Sequence, residues 1–284
     1  MSTITPTTSS TRPTGVQGRI AFETDTKNII VYDGANWRSW ESDGASGWSG
    51  INDYSLNFDG TDDRLDAGSV VTPSATSGTI SAWVKTTSIA YQAILSTADT
   101  SGGGTWGWMA VYNNKLRITF RQGGGAVKTA DGSTTINDGS WHHVVAVSDG
   151  AAYSLYVDGS AETLTNSNND GTWYNDLTNL TSTNIGSHVR SSAGNFFTGN
   201  IDEVAVWDSA LSSSQITNIY KGESNGGSGG TNGTPGNLLS FNPKAWWRMG
   251  DGIEANSGTT IYDMSAFDNN ITMVSSPAYQ IDTP

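Results

Sequence analysis

Apolar residues recur along this chain in short runs with a period of two, and pairs such as Asp-Gly and Asn-Asn close each run. That pattern predicts strands joined by tight turns. In GTISAWVKT, Gly78 to Thr86, the apolar Ile80, Ala82 and Val84 alternate with Ser81, Trp83 and Lys85, so both faces of one strand carry packing groups. WGWMAVYNNKLRITFRQ, Trp106 to Gln122, reads as a hairpin around Asn113-Asn114, a pair that accepts positive φ. WHHVVAVSDGAAYSLYVDGS, Trp141 to Ser160, reads as a second hairpin turned at Asp149-Gly150 and ended at Asp158-Gly159. SLNFDGTDDRLDAGS, Ser55 to Ser69, offers two strands about an Asp-rich turn. GNIDEVAVWDSALSSSQITNIYKG, Gly199 to Gly222, gives a strand and one short helix. Ser212 and Gln215 there have capping-box spacing, and Gly222 suits the helix C-terminus.

These elements divide the chain into zones. Residues 1–17 are rich in Ser, Thr and Pro and read as an extended arm. Residues 18–48 form a small β-meander: Ile20 and Phe22 alternate with polar residues, ETDTKN turns, IIVY follows, and DGAN leads to a third aromatic-bearing segment. Three short strands bury too little apolar surface to stand alone. The meander is therefore expected to be an attachment or oligomerisation module. Residues 49–222 are the main domain, and residues 223–236 have the Gly-rich composition of a flexible linker. Residues 237–284 contain AWWRMGDGIEANSGTTIYDMS, which looks like the opening of a domain although too little chain follows to build one.

Composition sharpens the class. The sequence has 34 Gly and only 14% charged residues, and strong helix formers are scarce, which favours an all-β protein. Eleven Trp serve either a sandwich core or a sugar-stacking surface. The net charge of −13 argues against nucleic acid and anionic membrane surfaces as partners, and is compatible with bound Ca²⁺. With no Cys there is neither a disulfide nor a thiolate metal site. MSTITPTTSSTRPTG lacks the apolar core of a signal peptide, and no apolar run approaches the roughly 18 residues of a membrane span. The expectation is a protein that works in the cytoplasm or leaves the cell by another route, such as assembly into a virus particle.

Four stretches, SLNFDGTDDRLDAG, TISAWVKT, GSWHHVVAVSDGAAYSLYVDG and GNIDEVAVWDSALSSSQI, occur in this order and together resemble the laminin-G-like, concanavalin A-like lectin/glucanase domains. The resemblance covers about Tyr54 to Gly222. It implies a concanavalin A-like jelly-roll sandwich of two antiparallel sheets, often with one Ca²⁺ at the sheet rim. Such a fold leaves function open, since binders, adhesins and hydrolases share it. Gly18 to Trp40 resembles a shorter module of bacteriophage fibre and virion structural proteins. In the lectin-like family a segment like AWWRMGDG…TTIYDMS precedes a strand like SLNFDG, whereas here Ile51 to Tyr54 does. The chain therefore reads as permuted, the linker carrying Ala245–Met249 and Thr259–Met264 back to complete the sandwich of the same subunit or a neighbour. The alternative is a truncated second repeat, which would leave Trp246, Trp247, Met249 and Tyr262 exposed to aggregation.

Candidate sites follow. Asp59, Asp62 and Asp202 are the calcium candidates, with Asp63 and Glu203 beside them; the resemblance maps an ion-facing acid onto Asp202. Against this, Asp59-Gly60 serves as a turn former, and Asp202 and Glu203 are solvated or pair with Arg64. His142 and His143 are adjacent on a strand, point to opposite faces, and with distant His188 make a poor zinc set; a structural role is expected. Trp106, Trp108, Ala110 and Tyr112 share one face of a strand and are expected in the core. Asn166 to Asn179 reads as a long loop in which Trp173, Tyr174, Asn175 and Asp176 are candidates for glycan contact, unless Trp173 only anchors the loop. No catalytic residue is expected: IDEVAVWD and FETDT lack the carboxylate spacing of the related glucanases, and no G-x-S-x-G, H-E-x-x-H or G-x-x-x-x-G-K occurs.

The sequence thus points to a non-enzymatic virion surface protein, a capsid fibre or decoration protein or a tail fibre, assembled in the host cytoplasm. Its N-terminal region would bind other virion proteins and form a homo-oligomer, with a trimer favoured. The lectin-like sandwich would meet host glycans, with no nucleic acid partner and no membrane insertion. A purely structural decoration protein and a polysaccharide depolymerase are the alternatives.

Overall fold

A computed structural model describes residues 5–8, 20–23, 28–32, 37–40, 52–68, 75–251 and 258–284. Near the N-terminus, Thr5–Thr7 pairs in parallel with Ile20–Glu23, followed by Asn28–Tyr32 and Trp37–Trp40 in antiparallel order. The expected three-strand meander is thus a four-stranded sheet. Part of the supposed arm joins it, because backbone pairing gives a polar Thr-Pro-Thr run a place that burial could not. The turns at 24–27 and 33–36 and residues 41–51 lie outside the described residues.

Residues 52–284 form the expected all-β sandwich. One antiparallel sheet runs in the order Asn166–Asn168, Lys128–Asp131, Lys115–Arg121, Trp106–Tyr112, Gln92–Ala98, Ser182–Ile185, Arg64–Gly68, Ile271–Val274 and Thr260–Ile261. The second runs Ser160–Ala161, Tyr153–Val157, Trp141–Ser148, Gly78–Lys85, Thr198–Trp207, Ser55–Asp59 and Ala278–Gln280. Period-two alternation sends Ile80, Ala82, Val84, Met109, Val111, Leu116, Ile118, Val144 and Ala146 into one core between the sheets. Each large aliphatic side chain buried there contributes about 1.5–3 kcal/mol. Asn113 and Asn114 take φ of 49° and 67°, which lets them turn the hairpin in two residues.

The C-terminal segment supplies edges to both sheets of its own chain. Thr198–Trp207 is flanked along one side by Gly78–Lys85. Along its other side, Ser55–Asp59 covers the first half and Ala245–Trp247 the second. Two pieces of chain nearly two hundred residues apart therefore share one strand position. Ile271–Val274 pairs with Arg64–Gly68, and Ala278–Gln280 with Ser55–Asp59. Trp246, Trp247 and Met249 are buried. Residues 252–257, the polar loop of this segment, lie outside the described residues.

Helix Ser213–Tyr220 begins with the capping box: Gln215 N donates to Ser212 Oγ, and Ser212 N donates to Gln215 Oε1. It ends on a Schellman motif, with Gly222 at φ 67° and bonds from Gly222 N to Ile219 O and from Glu223 N to Asn218 O. Residues 223–236 do not run as an extended coil. Gly233 N donates to Tyr220 O, Gly230 N to Glu223 Oε1, and Asn225 N to Ser240 Oγ. Glycine composition here serves close backbone packing against the helix end, which a composition reading takes for slack. Helix and loop cover a second apolar layer, including Val145, Ala205, Trp207, Ile216 and Trp246, on the outer side of the second sheet.

Candidate functional site

The acidic candidates separate into two places. Asp59, Asp62 and Asp63 come together, with one carboxylate oxygen from each within 4.8 Å of the others. Within that turn, Asp59 Oδ1 accepts from Thr61 N at 2.7 Å and Asp63 Oδ2 accepts from Asp59 N at 3.1 Å. The donor set is chemically right for Ca²⁺ but supplies three of the six to eight oxygens that ion takes, the rest falling to carbonyls or water.

Asp202 does not join this group. It pairs across the ladder near Ser55, whereas Asp59 sits opposite Thr198, a full strand segment away. Asp202 and Glu203 lie buried at the seam where Ser55–Asp59 gives way to Ala245–Trp247. A bulge there puts Glu203 at φ 49°. Glu203 Oε1 accepts from Arg248 Nε at 3.0 Å, and Oε2 accepts from Trp246 Nε1 at 2.5 Å. Asp202 Oδ2 accepts from Asn52 Nδ2 at 3.1 Å and Asp251 Oδ2 from Tyr54 N at 2.9 Å. Burial raises the pKa of Asp202 and Glu203, and lifts Asp251 to about 7. In place of solvent or Arg64, the alternatives to a metal, Glu203 pairs with Arg248, a residue the permuted segment brings in.

Trp173 and Tyr174 are buried rather than displayed on an exposed loop, as the anchoring alternative for Trp173 has it. They are 0% and 1% exposed and pack against Phe120, with ring centroids 5.3 and 5.0 Å away. Gly78 admits this packing, because a Cβ there would lie 2.3 Å from Trp173 Nε1. Of the same stretch, Asn175 is exposed, and Asp176 Oδ2 accepts from Trp173 N at 2.7 Å, capping a short 3₁₀ turn. The long loop is also shorter than expected, since Asn166–Asn168 adds an edge strand.

The histidines diverge as strand geometry requires. His142 Nδ1 lies 2.8 Å from Asp158 Oδ2 and Nε2 lies 3.3 Å from Asp138 Oδ1. His143 faces the helix layer in a three-ring cluster, tilted against Trp83 at 5.1 Å and stacked with Tyr220 at 6.2 Å, with neither ring nitrogen hydrogen-bonded. Burial lowers the His143 pKa to about 4.

Trp106 and Trp108 depart from the expected core position. Met109 and Val111 take the core side of their strand, so Trp106, Trp108, Ala110 and Tyr112 face outward from the first sheet. On the neighbouring strand Arg117 and Thr119 share that outward face, opposite Ala110 and Trp108. Tyr91 packs 4.4 Å from Trp108 and 4.6 Å from Tyr112. A small hairpin, His188–Val189 with Ala193–Gly194, folds over this face. It is pinned by Ala93 N to Asn195 O at 2.9 Å and by Ser96 Oγ to Ser187 O at 2.7 Å. It lays His188 4.4 Å from Trp108 and 5.9 Å from Trp106.

Beside the rings, Arg117 donates through Nε and Nη2 to the two oxygens of Asp131 at 2.5 and 2.7 Å, with its guanidinium 3.6 Å above Tyr112. Burial pushes the Tyr91 hydroxyl up to about 12 and the His188 imidazole down to about 4, so both are neutral near pH 7. Trp108 and His188 are 5% and 7% exposed, and Trp106 is half-buried. Trp106 Nε1, Trp108 Nε1 and His188 Nε2 are buried atoms with no hydrogen-bond partner. These three orphaned nitrogens lie within one aromatic cluster whose Trp106 ring is only half-buried. Tyr91, Arg117, Asp131 and His188 are absent from the sequence-based candidates. The available signal was that Trp106–Tyr112 carries large apolar groups at both parities, so one set had to leave the core.

The family model for the concanavalin A-like lectin/glucanases superfamily matches residues 59–217. No curated protein sequence matches the chain. Among solved structures, the chain is similar to a Bacteroides ovatus protein described as a "putative carbohydrate binding protein": 17% identity, 80% of this chain and 59% of that chain covered, TM-score 0.53. It is also similar to NanB in complex with Optactamide, at 15% identity over 58% of this chain and 27% of that one, TM-score 0.51. A third likeness is the CBM40 of Ruminococcus gnavus IT-sialidase bound to α2,6-sialyllactose, at 19% identity over 57% and 94% of the two chains, TM-score 0.49. With the matched span exceeding half of its length, this chain belongs to the concanavalin A-like lectin/glucanases superfamily.

Proposed function

We propose that this chain is a non-enzymatic carbohydrate-binding protein of a virion surface, and that the outward face of Trp106–Tyr112 receives the glycan. The observation that carries the reading is the cluster of orphaned nitrogens on Trp106, Trp108 and His188 beside a half-buried indole. The Trp106 ring would stack on a sugar face, and the unsatisfied nitrogens would bond its hydroxyls once the small hairpin that covers them shifts. The kinship with lectin-like domains and with a carbohydrate-binding fold supports the same reading. A non-hydrolytic role is favoured because Asp131, the carboxylate among these residues, is bound by Arg117, whereas hydrolysis needs two available carboxyls.

Placement on a virion rests on the likeness of Gly18–Trp40 to phage fibre modules. It also rests on a small N-terminal sheet whose short strands need a partner. In this proposal that sheet binds other virion proteins and a homotrimer forms, and Ca²⁺ is held by Asp59, Asp62 and Asp63. The testing experiment is a glycan array with the full chain and Trp106→Ala. Binding by the parent and its loss in the variant supports the assignment; equal signals from both sink this face as the site.

A further inference from the structure

Resting on the glycan-binding reading above, we infer that the ligand is an uncharged glycan, held by ring stacking and hydroxyl hydrogen bonds without an ion pair. A carboxylated or sulfated sugar needs an available guanidinium or ammonium group, because a buried anion without a counter-charge is costly. Arg117 is the cation set among the rings, and the Nε–Nη2 edge of its guanidinium is taken by Asp131, with the two side chains only 13% and 12% exposed. An anionic ligand that took the Nε–Nη2 edge of Arg117 would have to displace Asp131, which would strand that carboxylate in a desolvated position.

Arg121 is also engaged. Its Nε donates to Gly125 O at 3.0 Å and its Nη2 to Gly124 O at 2.8 Å, fastening the glycine loop at the end of the strand. Arg190 stands exposed at the tip of the covering hairpin, and Lys115 is half-buried at the Asn113-Asn114 turn, so each flanks the ring cluster. Asp66, exposed on the same sheet, bears the opposite charge. The polar groups within the cluster are neutral: the two indole N–H groups, the His188 imidazole and the Tyr91 hydroxyl. The chain's net charge of −13 opposes approach of a polyanion over longer range.

Calorimetric titration of the full chain separates the outcomes. The probes are a neutral β-glucan, a galactan and a mannan, set against alginate, a sialylated oligosaccharide and a sulfated galactan, each at low and high NaCl. The expected result is binding of at least one neutral glycan, with affinity changing less than about 2-fold with salt, since no charge pair is there to screen. Trp106→Ala is expected to weaken that binding about 10-fold, and Arg190→Ala to leave it unchanged. Preference for an acidic glycan, weakened by salt and lost in Arg190→Ala, overturns this inference while leaving the lectin reading intact. Silence toward all six probes overturns both. The class preference and the salt response are read on the unaltered chain, so a poorly folding variant does not shield the inference.

Discussion

The imidazole of His188 lies 4.4 Å from the indole of Trp108, tilted 43° to it, and this contact closes the small hairpin over the aromatic face. The hairpin leaves Trp108 only 5% exposed. His188→Ala is therefore expected to uncover Trp108, red-shift the tryptophan emission and cost about 1–2 kcal/mol of stability. An unshifted spectrum with unchanged denaturation would show that the stack does not hold the hairpin down.

His142 sets a pH dependence of known sign. Its hydrogen bond to Asp158 raises its pKa, the nearby Asp138 adding to the effect. A group with a raised folded pKa contributes stability that is full below the ordinary histidine value and is lost as pH rises through the folded value. Asp158→Asn keeps an acceptor for the His143 N–H that Asp158 Oδ1 now binds at 3.0 Å, and tolerates the φ of 51° there. The substitution should cost about 1–2 kcal/mol near pH 6 and distinctly less near pH 8.5. Equal losses at both pH values, by urea denaturation, would rule out the charge pair as the cause.

His143 behaves oppositely. Its burial lowers the folded pKa to about 4, so the unfolded chain takes up a proton at higher pH than the folded one. Stability from this group is present above the ordinary histidine pKa and drains as pH falls from about 6.5 toward 4. His143→Phe preserves an aromatic ring against Trp83 and Tyr220 and removes two unsatisfied nitrogens. The variant should gain stability over the parent progressively below pH 6.5, read as a widening gap in melting temperature between pH 7.5 and pH 4.5. A constant gap would mean that proton uptake at His143 is not involved.

The sandwich was legible because period-two alternation and Asn-Asn or Asp-Gly turns are local properties, and the helix caps at Ser212 and Gly222 follow from local chemistry too. The seam was half legible. Trp246, Trp247 and Met249 announced a need for burial, but the partner of Glu203 could not be named, since Arg248 meets it only through a pairing 45 residues distant in sequence. Which aromatic residues are buried was misread for a definite reason. Trp106 and Trp108 look like core residues, and Trp173 and Tyr174 look like an exposed loop. Each judgement needs the third dimension: which parity the sheet turns inward, and that Gly78 leaves room for Trp173.

The Asp59, Asp62, Asp63 turn gives a calcium test independent of glycan. Its internal hydrogen bonds run to Asp59 and Asp63, so Asp62→Asn removes a charge while leaving them in place. If the turn binds Ca²⁺, the ion at 100 times its dissociation constant stabilises the parent by about 2.7 kcal/mol and Asp62→Asn by much less. A melting temperature that does not respond to Ca²⁺ or chelator in the parent would remove calcium from the proposal.

Trp247 tests whose sandwich the C-terminal segment completes. It is fully buried, pairs opposite Val204 and donates its Nε1 proton to Asn269 O at 2.8 Å. Truncation to Ala should cost about 3–5 kcal/mol, as for other large aromatic deletions in a packed core. Deleting residues 237–284 goes further, baring one side of Thr198–Trp207, the open edge of Arg64–Gly68 and the seam carboxylates, so the remainder should unfold or aggregate. A 1–236 fragment that melts as the parent does would show that residues 237–284 do not close the sandwich of their own chain.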